Sequence, residues 1–226
     1  MQKSSHLERT NLSDAAESAI RLMIVEGKFK SGERLNEVHL ALKLGVSRTP
    51  LREALNRLVS EGALIARPNF GYIVKPLTFK EFEQIYAIRP ILDPAALRLA
   101  GLPSSDQITR LERLNRKLLL ARSPEAAIVM DDEWHMILLE HCSNIVLIEL
   151  IQSVTLRTRR YELALFRETN AITRANDDHE RILAGLRSSN IEEACVALEE
   201  NMRTGYAPIV AWLQERERIA TSENLK

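Results

Sequence analysis

The sequence predicts a mainly α fold in two domains: an N-terminal winged helix-turn-helix unit, three helices plus a small β-hairpin wing, over residues 1–77, and an all-α antiparallel helical bundle over residues 78–226. Three observations carry that reading. Apolar residues recur at helical spacing along most of the chain. Two short β-rich runs, "ALIAR" and "GYIVK", flank the turn "PNFG". Charge also changes sign near Leu77: the first 77 residues hold 12 Lys+Arg against 8 Asp+Glu and the remainder 19 against 23, although the whole chain is neutral.

In the first domain a helix is expected from about Leu12 to Glu26, with Ala15, Ala19, Leu22 and Met23 on one side and Gly27 as its stop. After "KFKSGERL", Asn36 is placed to cap a short second helix, "EVHLALKL", which Gly45 closes. Ser47 is placed to cap a third, with Pro50 in its first turn, where the missing N–H removes no intrahelical bond. Helix, short glycine-containing turn and helix make a helix-turn-helix.

Within the third helix, Leu51, Leu55 and Leu58 supply a core face, while Arg48 and Arg52 share another at the open N-terminal end. A core needs only the leucines. A recognition helix enters the DNA major groove by that end, so Ser47, Arg48, Thr49 and Arg52 lie where base edges and phosphates would be, and the helix dipole adds attraction for phosphate. An arginine fork reads guanine O6 and N7 with two bonds, which lysine does less well. The plainer alternative is that both arginines are solvated or pair with Glu53 and Glu61.

In the second domain Thr78 opens "FKEFEQIYAIRPILDPAALRLAGL", which Pro90 and Pro94 should kink. Ser104 opens a helix with Ile108, Leu111, Leu114 and Leu118 on one stripe, and Ser123 with Pro124 opens another. From Asn144, "NIVLIELIQSVTL" is apolar nearly all round, as a central buried helix would be. A helix around "NDDHERILAGLRSS" follows. Asn190 with Glu193 then starts a last helix bearing Ile191, Ala194, Leu198, Met202, Ile209 and Leu213.

With 45% apolar and 27% charged residues, the composition is that of an ordinary globular protein. Cys142 and Cys195 lack CxxC spacing and sit in apolar context, so buried free thiols are expected, which suits a reducing cytoplasm. No leader follows "MQKSSHLERT", and no run reaches the roughly 18 apolar residues of a membrane span. Export and a membrane partner are therefore not expected.

Asp131 and His135, in "MDDEWHMILLEH", lie i and i+4 on one helix face, a spacing at which a carboxylate and an imidazole can ligate one ion. His179, in "DDHERIL", belongs to a later helix. A lone helical histidine is more often a satisfied core or surface group, the reading given to His6, His39 and His141.

The stretch "SGERLNEVHLALKLGVSRTPLREALNRLVSEGAL", followed by "NFGYIV", resembles the winged-helix domain of the GntR superfamily of bacterial transcription regulators. The remainder, with looser motifs, resembles the helical ligand-binding (FCD-type) domain of its FadR-like branch. The resemblance implies DNA contacts from Arg34, Ser47, Arg48, Thr49 and Arg52 and from Asn69 and Gly71 in the wing, where a side chain in place of glycine would block approach to the minor groove. It implies a homodimer on a pseudo-palindromic double-stranded operator. It also implies a divalent metal, zinc or nickel, held by an aspartate and histidines, with Asp131, His135 and His179 at matching positions. Asn201 stands where a further histidine is expected, and an amide oxygen is a far poorer ligand for these ions than imidazole. Two readings stay open: three protein ligands completed by water or effector, or a metal-free polar pocket. Arg89 resembles the arginine that lines the family's effector cavity, and Arg157 is a second candidate; either can instead be an ordinary paired arginine.

Two functions follow. One is a DNA-binding regulator whose operator affinity answers to a small organic acid. The other is a metal-dependent hydrolase built on Asp131, His135 and His179, which lacks a nucleophile with a positioned base and leaves the first domain unexplained.

Overall fold

The computed structural model describes residues 2–25, 28–166 and 170–223. The chain divides into two compact units, Met1–Leu77 and Thr78–Lys226.

The first unit comprises α1 (Gln2–Val25), α2 (Glu37–Leu44), α3 (Arg48–Ser60), β1 (Leu64–Arg67) and β2 (Gly71–Val74). α1 starts well before Leu12, and the expected Gly27 stop and the side chain of His6 lie outside the described residues. Its buried side also differs from expectation. Ser13, Ala16 and Ile20 point inward, whereas Leu22 is 39% exposed, because Ile20 buries more apolar area than the alanines of the expected face. Asn36 Oδ1 accepts from the His39 N–H at 3.0 Å, and Gly45, at φ 65°, ends α2 in the left-handed conformation that glycine adopts without strain. Ser47 occupies the N-cap of α3 with extended backbone, but its hydroxyl makes no capping bond; its carbonyl accepts from the Leu51 N–H at 3.3 Å instead. The core of this unit gathers Ile20, Leu35, Leu40, Leu51, Leu55, Leu58 and Leu64.

β1 and β2 pair antiparallel, with Leu64 opposite Val74 and Arg67 opposite Gly71. Pro68 leads the turn and Asn69 takes φ 60°, which asparagine tolerates. The chain before α2 docks on the other side of β2: the Leu35 N–H donates to the Tyr72 carbonyl at 2.8 Å and the Val74 N–H to the Glu33 carbonyl at 2.9 Å. Tyr72 Oη donates to Asn56 Oδ1 at 2.7 Å, tying the wing to α3.

Among the described residues the regular elements of the second unit are all helices: α4 (Phe79–Tyr86), α5 (Arg89–Ala100), α6 (Ser105–Leu118), α7 (Pro124–Leu138), α8 (Ile145–Leu165), α9 (Ala171–Arg187), α10 (Ile191–Thr204) and α11 (Tyr206–Glu223). Thr78, Ser104, Ser123, Asn144 and Asn190 each accept a backbone N–H three residues on, so the expected starts are formed by side-chain caps. The expected kinked first helix is instead two helices. A Pro90 ring would clash with the Tyr86 carbonyl in a continuous helix, so α4 ends and α5 restarts with Pro90 in its first turn; Pro94 is accommodated inside α5. The expected last helix also divides, at Gly205. The apolar helix from Asn144 is not buried all round: Ile151 and Val154 face the core, but Ile145, Val146 and Leu150 are 70%, 65% and 51% exposed. Trp134, Leu97, Leu111, Leu138, Ile182, Leu183 and Leu198 build the core, with both cysteines free and buried. No described helix is long and apolar enough to cross a membrane.

Gly185 is where α9 and α10 come closest: a Cβ there would lie 2.7 Å from the Ala194 backbone N and 3.0 Å from its Cα. On an exposed helix Gly→Ala would stabilise by about 1 kcal/mol. Here Gly185→Ala should cost about 1–3 kcal/mol net, because both obstructing atoms are backbone. Chemical denaturation would read this as a lower midpoint, and an unchanged or raised midpoint would contradict the close approach.

Candidate functional site

On the first unit, Arg34, Arg48 and Arg52 line a shallow bowl of about 480 Å³ together with Asn36, Glu37 and Gly71. Ser47, Arg48, Thr49 and Arg52 are exposed at the open end of α3. Arg52 Nε donates to Glu37 Oε2 at 2.7 Å while the side chain remains 62% exposed, so α2 orients the fork without removing it from solvent. Arg48 makes no ion pair among the described residues. The alternative pairing with Glu53 or Glu61 is not what forms: Glu61 is held by Arg21 through two bonds of 3.1 and 2.6 Å. The Arg34 guanidinium lies 4.7 Å over the Phe70 ring, and Gly71 takes φ 87°, which disfavours any side chain at that point of the wing. Three guanidiniums around a helix N-terminus suit phosphate and guanine edges.

In the second unit, α7 presents Asp131 and His135 and α9 presents His179. Their donor atoms lie within 4.8 Å of one another. His179 Nε2 stands 3.4 Å from Asp131 Oδ1 and His135 Nε2 stands 3.9 Å from Asp131 Oδ2. His135 and His179 are buried, and neither Nε2 has an aligned hydrogen-bond partner. Asn201 Oδ1, on α10, is likewise buried without a partner, while its Nδ2 lies 3.4 Å from Asp178 Oδ2. Unpaired buried acceptors are costly, so their convergence with a carboxylate fits a divalent ion. Two imidazoles and a carboxylate suit zinc or nickel, with the Asn201 oxygen as a weak further donor.

Neighbouring residues set this donor set in place. Asn115 donates through Nδ2 to Glu180 Oε1 at 2.9 Å and to the Asn176 carbonyl at 3.3 Å, which turns its Oδ1 toward His179 Nδ1, 3.0 Å away. His179 therefore carries its proton on Nδ1 and leaves the Nε2 lone pair for the cluster. Trp134 stacks on the same ring, centroids 3.7 Å apart and planes within 3°.

Asp131, His135 and Asn201 line a cavity of about 60 Å³ with Arg89, Glu162 and Thr204 among the other walls. That space holds a few waters or a small head group. Burial holds His135 well below the usual histidine range, and Asp131 only partly opposes this. Burial pushes Asp131 up, but the bond from His179 and the electrostatic influence of its neighbours, Arg89 among them, outweigh it, so its pKa is lowered. Arg89 is buried in an ion pair with Asp93 at 2.9 Å and reaches Glu162 at 3.7 Å. Burial and the neighbouring Asp132 raise Glu162 to about 7. Arg157 is elsewhere: it is 40% exposed, 3.7 Å from Glu81, and does not line the cavity, because its position on α8 turns it toward α4.

Sequence reading missed Asn115, Trp134 and Glu162. Asn115 had a signal, a polar residue beside the Leu111–Leu114–Leu118 stripe. Arg159, bonded to Asp132 at 2.9 Å, had none, since its partner is 27 residues away on another helix.

Residues 12–74 match the family described as bacterial regulatory proteins, gntR family, and residues 84–204 match the FCD domain. The chain is 37% identical over 143 residues to the Nta operon transcriptional regulator of Aminobacter aminovorans, covering 61% of this chain and 67% of that protein. It is 28% identical over 214 residues to the HTH-type transcriptional regulator McbR of Escherichia coli, 92% and 96% of the two chains. The solved structure of E. coli McbR/YncC superposes with a TM-score of 0.72 at 26% identity, covering 89% of this chain and 98% of that one.

The buried His135 gives a pH signature in metal-stripped protein. Unfolded histidine binds a proton below about pH 6.5, whereas His135 in the fold does not, so its contribution to stability is complete above that pH and declines below it by up to about 1.4 kcal/mol per pH unit. The melting-temperature difference between wild type and His135→Gln should therefore shift against wild type from pH 7.5 to 5.5. A constant difference would show that the ring titrates normally.

Proposed function

Since the chain belongs to the gntR family of bacterial regulatory proteins, carries an FCD domain and is thus a transcriptional regulator, we propose that its operator affinity is set by a small carboxylate-bearing metabolite held with one divalent ion, zinc or nickel, in the cavity of the second unit. The observation that carries this reading is the convergence on Asp131 of the Nε2 atoms of His135 and His179, both buried and neither in an aligned hydrogen bond. The ion, when bound, supplies a positive centre to a ligand oxygen. The chain's own residues do the rest. Asn115 keeps the His179 proton on Nδ1, Trp134 fixes the ring, Asn201 offers its oxygen, and Arg89 contributes cationic charge to the cavity wall.

On the first unit, Arg48 and Arg52 read base edges, while Arg34, Ser47, Thr49, Asn69 and Gly71 meet the backbone or the minor groove. A homodimer would present two such surfaces to a pseudo-palindromic operator. The metabolite alters DNA affinity only as far as it discriminates between the arrangements that bind DNA and those that do not. The named relatives are transcriptional regulators, which favours this reading over a metal-dependent hydrolase.

On an operator selected from random duplexes with wild-type protein, Arg48→Ala and Arg52→Ala should each weaken specific binding by about 1–3 kcal/mol with the fold retained. Unchanged affinity in a folded double variant would remove the recognition helix from the reading. Metal analysis of protein purified without chelator should find one equivalent, lost in His179→Ala and held more tightly in Asn201→His. Metal in Asn201→His but none in wild type would make this cavity a metal-free polar pocket.

A further inference from the structure

A carboxylate stands among the guanidiniums of the first unit. Glu37 is the first residue of α2 and lines the bowl with Arg34, Arg48 and Arg52. Binding to DNA is driven by neutralising phosphates, so a negative charge on the surface that meets them lowers affinity. Local folding does not account for where this one is directed. An acidic group is favoured in the first turn of a helix, but that holds whichever way its side chain points. Nor is the ion pair needed to hold the helices together: Leu40, Leu51 and Leu55 already join α2 and α3 in one core, and a pair whose arginine is 62% exposed adds little stability. What the carboxylate does is take one nitrogen of Arg52. Its Oε2 accepts from Nε at 2.7 Å, and its Oε1 lies against the wing, 3.7 Å from where a Cβ on Gly71 would stand. The bond engages Nε alone, which leaves the Nη1 and Nη2 fork for a ligand.

We propose that Glu37 is a specificity-determining residue of the DNA surface, which makes Arg52 a reader of guanine rather than a binder of phosphate. This rests on the reading of Arg52 as a base contact and names what sets its selectivity. Two effects act together. With Nε held, the fork presented is the terminal pair of nitrogens, which meets guanine O6 and N7. A phosphate oxygen drawn to the same guanidinium would also stand close to the Glu37 carboxylate and be repelled, whereas a guanine edge brings no net charge there. The carboxylate thus weakens binding to every duplex, and weakens it least where a guanine faces Arg52. Selectivity is the difference of those two affinities, so it rises as both fall.

The test uses full-length protein, the operator selected with wild type and a random duplex of equal length, with binding followed by fluorescence anisotropy from about 50 to 200 mM salt. Glu37→Ala should bind the random duplex more tightly, and its operator-to-random ratio should fall about fivefold or more, the lower end of what one bidentate guanine contact contributes. The loss should be confined to the base pair whose substitution Arg52→Ala no longer senses. Glu37→Gln, which keeps an acceptor for Nε without the charge, should also gain on the random duplex, with a salt dependence steeper by about one phosphate contact, and lose less of the ratio. In an Arg52→Ala background, Glu37→Ala should change the ratio no further. An unchanged ratio in folded Glu37→Ala overturns the inference, as does an equal fall on both duplexes, the mark of a structural role. A loss that persists in the Arg52→Ala background overturns it too, since Glu37 would then read a base itself. If Arg52→Ala alone leaves the ratio unchanged, the base-contact reading of Arg52 fails as well. Should Glu37→Ala not fold, the random-duplex affinity and salt dependence of Glu37→Gln decide.

Discussion

The interior of the second unit depends on one constraint: polar and charged groups have been placed where water does not reach, and each must find a counterpart there. Arg89 meets Asp93, Arg159 meets Asp132, and His179 meets Asn115. The Nε2 atoms of His135 and His179 are left without an aligned hydrogen bond beside Asp131, and the Asn201 oxygen is left so in the wall of the cavity that His135 also lines. A buried network with unmet members is expensive. Under the proposed function the ion would complete this one, and affinity for it and stability of the fold would be two readings of one deficit.

The first unit solves a different problem, that of keeping cations exposed yet oriented. α3 spends its buried face on Leu51, Leu55 and Leu58, which frees the opposite side for Arg48 and Arg52. Glu37 holds one nitrogen of Arg52, and the Phe70 ring carries Arg34. Both supports lower the entropy cost of presenting a long side chain to a ligand. The strand-like pairing of residues 33–35 with β2 ties the loop that carries Arg34 to the wing that carries Gly71, so these elements form one rigid surface.

Much of this was legible from local rules. Caps at Asn36, Thr78, Ser104, Ser123, Asn144 and Asn190, the left-handed Gly45 and the hairpin turn at Asn69 depend on a few consecutive residues, and a sequence displays those directly. Asp131 and His135 were legible as a pair because they share a helix face, whereas His179, on another helix, joined them only through the family resemblance. What failed was long-range. Nothing in the order of residues says that Ile20 rather than Ala19 faces inward, that Arg157 looks to Glu81 rather than the cavity, or that Glu162 joins Arg89. The helix after Asn144 misled for another reason: an apolar circumference fixes no face, and Ile145, Val146 and Leu150 are left uncovered by this chain.

Trp134 lies parallel to His179 at 3.7 Å, with His135 edge-on at 5.1 Å, so the indole sits against both imidazoles of the cluster. An indole's emission responds to charge in its immediate surroundings, and an ion held on these two rings would lie within that range. The chain has one other tryptophan, Trp212, on a helix that carries none of the cluster. The packing that holds His179 in position thereby equips the protein with an intrinsic optical gauge of its own interior, readable in dilute solution without a label.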